Sequence, residues 1–337
     1  MDLRSLPKVE LHLHLDCSLS FAVVSRINPA ITPAQYERDF IAPAKCTNLA
    51  DLLTRAPKGF GLMQSEESLR LVVGDLFDQL ARDHVLYAEI RFAPLLHIQS
   101  GLTPEEVVDI VDNATAQASQ ASGIEARLIL CTLRHFSQEQ SLQIVRLVER
   151  FRGRQVVALD MAGDEAGFPI TPHIPAFQYA LAHSIPCTAH AGEARGPESV
   201  WQTLEVFRPA RLGHGVRSGE DPELLAHLRQ QRIHLEVCPT ANVQINIYPT
   251  YGDHPIDRLY RSGLSVGVNT DGRTLSNVTL NQEYERLRRA FGWGNEDFLA
   301  CNLDALDAAF IPGSVKQRLT ARLIEAYNPS PDAVPID

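Results

Sequence analysis

Paired cysteines are missing from this sequence. Its six cysteines (Cys17, Cys46, Cys131, Cys187, Cys238, Cys301) are scattered, and none forms a C-x-x-C pair. That excludes a cysteine zinc site and a disulfide scaffold, and it suits a reducing cytoplasm. Cys131, Cys187 and Cys238 sit in apolar runs, where a free thiol behaves as a small hydrophobe. No apolar run approaches the roughly 18 residues of a membrane span, and Met1-Asp2-Leu3-Arg4 lacks the basic and apolar parts of a secretory signal. Basic residues are outnumbered, 31 against 41 acidic, which argues against nucleic-acid and anionic-membrane partners. Lysine is absent between Lys58 and Lys316. There is no Ser/Gly-rich linker, low-complexity tract or internal repeat.

What is present is an alternation of short β-rich runs with longer helical patterns. Eight strands are predicted: Val9–Leu15, Leu86–Phe92, Ala126–Leu133, Val156–Ala162, Pro186–Ala191, Arg211–His214, Ile233–Cys238 and Leu264–Thr270. Helix entries read as Ser65, Thr103-Pro104-Glu105-Glu106, Ser137-Gln138-Glu139-Gln140, Thr171-Pro172, Gly196-Pro197-Glu198 and Asp221-Pro222-Glu223. Asp257–Arg261 and Asn281–Phe291 supply the last two helices, before a helical C-terminal tail. The pattern predicts a single α/β domain over residues 1–337, a closed (β/α)₈ barrel of the TIM type, with an open doubly wound sheet as the structural alternative. The stretch from about Ile27 to Gln64 is too long for a plain βα loop and is expected to be a lid insertion.

In such a barrel the chemistry belongs at the C-terminal ends of the strands. His12 and His14, two residues apart in the first strand, point to one face, while Leu11, Leu13 and Leu15 point to the other. Two imidazoles facing a closed interior are hard to satisfy without a metal or a dedicated network. His190 ends the fifth strand and Asp271 the eighth, so three His and one Asp face the same mouth, a donor set that suits Zn²⁺ better than Mg²⁺ or Ca²⁺. Glu193 lies three residues past His190, displaced from the ion as a general acid/base should be. His214 stands between Gly213 and Gly215, which would let a substrate approach closely. The other eight histidines fall mostly in helices or loops and read as structural or surface residues, His97 being the least clear.

These residues sit in Leu6-Pro-Lys-Val-Glu-Leu-His-Leu-His-Leu-Asp16, Tyr87-Ala-Glu-Ile-Arg-Phe-Ala-Pro94, Ala162-Gly-Asp-Glu165, His190-Ala-Gly-Glu193, Arg211-Leu-Gly-His-Gly215 and Asn269-Thr-Asp271. In order and over nearly the whole chain, they resemble the adenosine deaminases of the amidohydrolase superfamily. The resemblance implies one zinc per chain held by His12, His14, His190 and Asp271. It implies that Glu193 protonates ring N1 while hydroxide attacks C6, and that His214 orients that hydroxide. It further implies that Gly163 offers its N–H to ring N3, that Asp16 binds the ribose 5′-hydroxyl, and that Leu52 and Leu53 belong to an apolar lid. Two positions depart from the family pattern. Gly272 stands where a second Asp usually bonds ring N7, with Arg273, Asn277 or a water as replacements. Cys17 stands where Gly is usual.

The expected function is hydrolytic deamination of a small-molecule purine nucleoside, adenosine and 2′-deoxyadenosine, in cytoplasmic purine metabolism. Free adenine, a 5′-modified adenosine and aminodeoxyfutalosine are the alternative substrates. Asp16 favours a nucleoside, because adenine-specific relatives tend to carry Glu there. A two-metal barrel hydrolase would need a bridging lysine that residues 59–315 do not contain. A non-catalytic purine-binding barrel would need neither Glu193 nor His214. The H-x-E and P-C-x-x-C signature of the cytidine-deaminase fold is absent.

Overall fold

The computed structural model describes residues 2–328; Met1 and positions 329–337 of the expected domain lie outside the described residues. Eight parallel strands form in chain order: β1 (Lys8–His14), β2 (Val85–Phe92), β3 (Glu125–Leu133), β4 (Val156–Ala162), β5 (Thr188–Ala191), β6 (Arg211–His214), β7 (His234–Val237) and β8 (Val266–Val268). β1 to β4 make one ladder and β5 to β8 another. Parallel bridges join them at both seams, Leu159 to Cys187 and Leu13 to Asp271. The seam at β1 is further tied by His14 N–H to Asp271 O (2.8 Å) and Asp271 N–H to His12 O (3.1 Å). The sheet is a closed α/β barrel, and the open-sheet alternative is excluded.

All eight predicted strands are present, with ends displaced by up to two residues. Their continuous apolar runs are what strands covered on both faces require. Between β1 and β2 lie α1 (Phe21–Ile27), α2 (Pro33–Asp39), α3 (Leu49–Leu53), α4 (Ala56–Phe60) and α5 (Glu66–Arg82). The outer ring continues with α6 (Pro104–Ser122), α7 (Gln138–Phe151), α8 (Ile174–Ala182), α9 (Pro197–Phe207) and α10 (Pro222–Gln231). It is completed by α11 (Pro239–Gln244), α12 (Ile256–Arg261), α13 (Leu280–Phe291), α14 (Asn295–Ala308) and α15 (Gly313–Tyr327).

The capping signals act as expected at α5, α6 and α7, where Ser65, Thr103 and Ser137 form reciprocal capping boxes. Thr171-Pro172 behaves differently: it opens a short 3₁₀ turn, and α8 starts only at Ile174. The C-terminal helices are also more than a tail. α14 packs on β8, β7 and β1, and its Asn302 accepts the Val9 N–H at 2.6 Å. An amphipathic pattern shows that a helix has a buried face but not which surface receives it.

The barrel floor is charged. Glu89, Arg91, Asp160, Arg211 and Glu236 point inward and are fully buried. Arg91 reaches Asp160 (3.0 Å) and Glu236 (2.6 Å), while Arg211 pairs with both Glu236 and Glu89. Each buried charge therefore has a partner, without which it would cost several kcal/mol (about 3–5 for a broken pair).

Candidate active site

Above this floor the strand ends deliver their polar residues to one cavity of about 480 Å³, within the usual range for small-molecule sites. His14, Asp16, Gly163, His190, Glu193, His214 and Asp271 all line it, so the sequence-predicted polar residues converge. His12 lies just beneath and is fully buried. Leu52 and Leu53 on α3 face the same space. His214 (φ +60°) and Asp271 (φ +64°) are held in left-handed backbone, which costs non-glycine residues of order 1–3 kcal/mol and concentrates at functional sites.

Ligand-type atoms of His12, His190, His214 and Asp271 lie within 4.8 Å of one another, and these groups are a metal-sized cluster among the described residues. His14 belongs beside them: its Nε2 is 3.2 Å from His190 Nε2 and 3.4 Å from Asp271 Oδ1. His12 Nε2 is 3.5 Å from the same oxygen, is fully buried, and has no hydrogen-bond partner among the described residues. Ligand atoms about 2.0–2.1 Å from a tetrahedral ion lie about 3.3–3.4 Å apart. The three separations just given, His14 to His190, His14 to Asp271 and His12 to Asp271, fit one such ion.

The charge states of two of the rings agree with this. Burial lowers His14 to about 3 and holds His190 low as well, leaving both rings neutral, as ligation requires. Burial and Arg91 oppose a proton on His12, but Asp271 and Glu236 outweigh them and raise it. Burial likewise opposes charge on Asp271, yet the surrounding His12, His14 and His214 rings keep its carboxyl below the ordinary range.

Sequence reasoning missed the groups behind these ligands. Glu236 takes His12 Nδ1 at 2.9 Å and Asp160 faces His190 Nδ1 at 3.3 Å. The signal was available: both are charged residues at inward positions of apolar strands. Asn242, on α11, contacts His214 Nδ1 through its amide nitrogen at 3.1 Å and His254 Nε2 through its oxygen at 3.2 Å. His97 is not a surface residue; it is buried, with Nε2 3.9 Å from Asp16 Oδ2. His234 lies in β7, where the predicted strand Ile233–Cys238 puts it. The glycines beside His214 serve packing rather than substrate approach. A Cβ on Gly213 would meet His12 Cε1 at 2.9 Å, and one on Gly215 would meet Leu235 Cδ2 at 2.6 Å.

Glu165 is the least expected contributor. Its carboxylate accepts the N–H groups of Gly192 (2.8 Å), Glu193 (2.9 Å), Ala194 (2.6 Å) and Arg195 (2.9 Å), and the Ser199 hydroxyl (2.6 Å). It thereby fixes the turn that carries Glu193. Burial pushes the Glu193 carboxyl well above its usual range, and the charges of Asp271 and Glu165 push the same way. Its Oε2 is 3.6 Å from His214 Nε2. Glu165→Gln removes the charge and turns an NH₂ group toward amide donors. We expect a stability loss of about 2–4 kcal/mol and a lowered kcat at unchanged metal content, read by thermal denaturation and steady-state kinetics. A parent-like Tm would show that the turn holds itself.

Comparison with known proteins agrees with this geometry. The adenosine deaminase family model matches residues 7–326. An adenosine deaminase of Clostridium perfringens is 33% identical, covering 96% of this chain and all of that protein. Among solved structures, adenine deaminase from Arthrobacter aurescens superposes with a TM-score of 0.87 at 24% identity, covering 95% of this chain and 98% of its own. An amidohydrolase from Burkhoderia ambifaria with bound Zn gives the same TM-score and identity, covering 96% and 91%. With a family model spanning the barrel and a relative matched end to end, this chain belongs to the adenosine deaminase family and is a deaminating hydrolase.

Proposed function

We propose that this enzyme hydrolyses adenosine and 2′-deoxyadenosine to the inosines and ammonia, with one zinc ion held by His12, His14, His190 and Asp271. The observation that carries the reading is a buried Glu193, 3.6 Å from His214 and beside the donor cluster, lining the same cavity. Zinc, when bound, supplies hydroxide at neutral pH by lowering the pKa of water to about 7.

The hydrogen bonds of the rings separate ligands from catalyst. Glu236 and Asp160 keep the protons of His12 and His190 on Nδ1, which leaves Nε2 as a lone pair for the ion. His214 Nδ1 instead accepts from the Asn242 amide, so its Nε2 carries a proton and is a donor. That favours His214 as the group that orients the incoming oxygen, although by distance alone it clusters with the ligands. Glu193 gives its proton to ring N1, which draws electron density from C6; as a carboxylate it then carries the proton of the added hydroxyl to the departing amine, so that ammonia leaves as the C6 carbonyl forms. Gly163, at the end of β4, offers its N–H to N3, and Asp16 accepts the ribose 5′-hydroxyl. Burial alone would raise Asp16, but His97, His14 and the Ala93 N–H (3.2 Å) lower it and keep it an acceptor.

Residues 27–64 act as a lid on a single barrel domain spanning 1–337, with Leu52 and Leu53 closing over the base. No helix among the described residues is long and apolar enough to cross a membrane, and six free cysteines suit the reducing cytoplasm. The deciding assay is ammonia release from adenosine, 2′-deoxyadenosine, adenine, AMP and aminodeoxyfutalosine in parallel. Adenosine and deoxyadenosine should lead; a lead by another 6-aminopurine would overturn the substrate.

The division of the rings has its own test. Asn242→Asp accepts a proton from His214 Nδ1 and strips the donor from Nε2. We expect kcat to fall about 10–100-fold with KM little changed. Parent-like kcat would remove the amide from the orientation of His214.

A further inference from the structure

Cys17 and Gly272, the two departures from the family pattern, touch. An ideal Cβ on Gly272 would lie 2.8 Å from Cys17 Cβ, 3.3 Å from Cys17 O and 3.4 Å from Leu275 Cβ. The first distance is shorter than real Cβ contacts, and the obstacle is the root of a side chain rather than its flexible end. Neither segment can step aside easily. Thr274 N–H bonds Cys17 O at 3.0 Å, Arg273 N–H bonds Ser18 Oγ at 3.2 Å, and Thr274 Oγ1 bonds Leu19 O at 2.6 Å. Cys17 therefore fills the space that a side chain at 272 would need. It also forms part of the cavity wall, beside Leu275 and beneath Leu49 and Leu52.

This wall is the β1/β8 side of the barrel mouth, across from the β4/β5 side that carries Gly163 and Glu193. A purine whose N1–N3 edge faces Glu193 and Gly163 turns its five-membered ring toward Cys17 and Leu275. N7 is an acceptor, so a strong donor is the group to look for. Arg273 does not serve: its guanidinium is buried between Glu10 and Asp83, 2.7 Å from each. Asn277 lines a different depression, with Ala42 and Arg286. The other side chains lining this side are Asp16, Asp271 and the His14 ring of the donor cluster, hydrocarbon, the Thr54 hydroxyl, which is spent on Asp51 O at 2.6 Å, and the Cys17 thiol, which is only a weak donor.

We propose that Cys17 and Gly272 act as one unit that closes this wall without a strong donor, so that the enzyme reads the six-membered ring of a 6-aminopurine nucleoside and tolerates carbon in place of N7. The proposal rests on the adenosine reading above. It predicts that 7-deazapurine nucleosides are bound about as tightly as the purines and that positions 17 and 272 are energetically coupled.

The test compares ligands that differ only in nitrogen or carbon at position 7, a single strong hydrogen bond being worth about tenfold or more. Carbon at position 7 also alters ring electronics. Equilibrium binding of inosine and 7-deazainosine, which needs no turnover, therefore isolates the contact. Affinities within about fivefold support the proposal, and a loss beyond about fiftyfold for the deaza product overturns it. Failure to turn over adenosine would sink the adenosine reading, while the two product affinities would still decide this one. The coupling is read by Gly272→Ala, Cys17→Gly and their combination in thermal denaturation. Gly272→Ala should destabilise or fail to fold, and the added Cys17→Gly should restore much of the loss. A Gly272→Ala variant as stable as the parent would overturn the pairing. In Cys17→Gly/Gly272→Asp the preference for adenosine over its deaza analogue should rise at least about tenfold.

Discussion

Glu193→Gln is expected to bind the same zinc content as the parent and to lose about 10²–10⁴ of its kcat, the usual worth of positioned proton transfer. The substitution is nearly isosteric, and the backbone N–H of residue 193 still bonds Glu165, so the turn stays in place. Only the transferable proton is lost. The pH dependence has a defined sign. Burial, with Asp271 and Glu165 adding to it, raises the Glu193 carboxyl, so its acid form persists to higher pH than that of a free carboxylate and is lost as pH rises through the folded-state value. A cation beside Asp271 offsets part of that repulsion and moves the alkaline limb lower. The parent should show this limb in its kcat profile and Glu193→Gln should not. A near-parental rate in the variant, or an unchanged limb, would take Glu193 out of the mechanism.

The same residue shows what the sequence conveys and what it withholds. His12 and His14 are legible because the two-residue period of a strand commits both rings to one face. His190, His214 and Asp271 are legible because strand ends in a closed barrel share one mouth. The eight strands could be found from their apolar runs alone. What holds Glu193 was hidden: Glu165 is a loop residue that reaches the N–H groups of 192–195 across a different strand end. No periodicity links those positions. Asn242 was hidden in the same way, since its relation to His214 exists only after β6 and α11 are packed. Asp160 and Glu236 could have been found, because a charge at an inward strand position demands a partner. The meaning of Gly272 was out of reach, because what occupies its missing side chain comes from the opposite end of the chain.

Removing the metal is expected to lower turnover by more than about 10⁴-fold, since the shift of water's pKa from about 15.7 to about 7 is lost with it. One equivalent of zinc per chain should restore the rate. The expectation of one ion rests on a single cluster among the described residues, His12, His190, His214 and Asp271 with His14 alongside, and on residues 59–315 containing no lysine to bridge a second ion. The metal-free protein should also be less stable, because buried His12 Nε2 then lacks a partner; free metal at about 1,000 times its Kd restores about 4 kcal/mol. Protons compete for this position. His12 is raised by Asp271 and Glu236, although burial and Arg91 oppose this, whereas His14 and His190 are lowered and already neutral. Below the raised His12 value, zinc must displace one proton, and affinity should fall about tenfold per pH unit; above it, this dependence vanishes. Competition titrations with a chelator across pH would measure both limbs. A requirement for two equivalents, or full activity after exhaustive chelation, would refute the single-ion site.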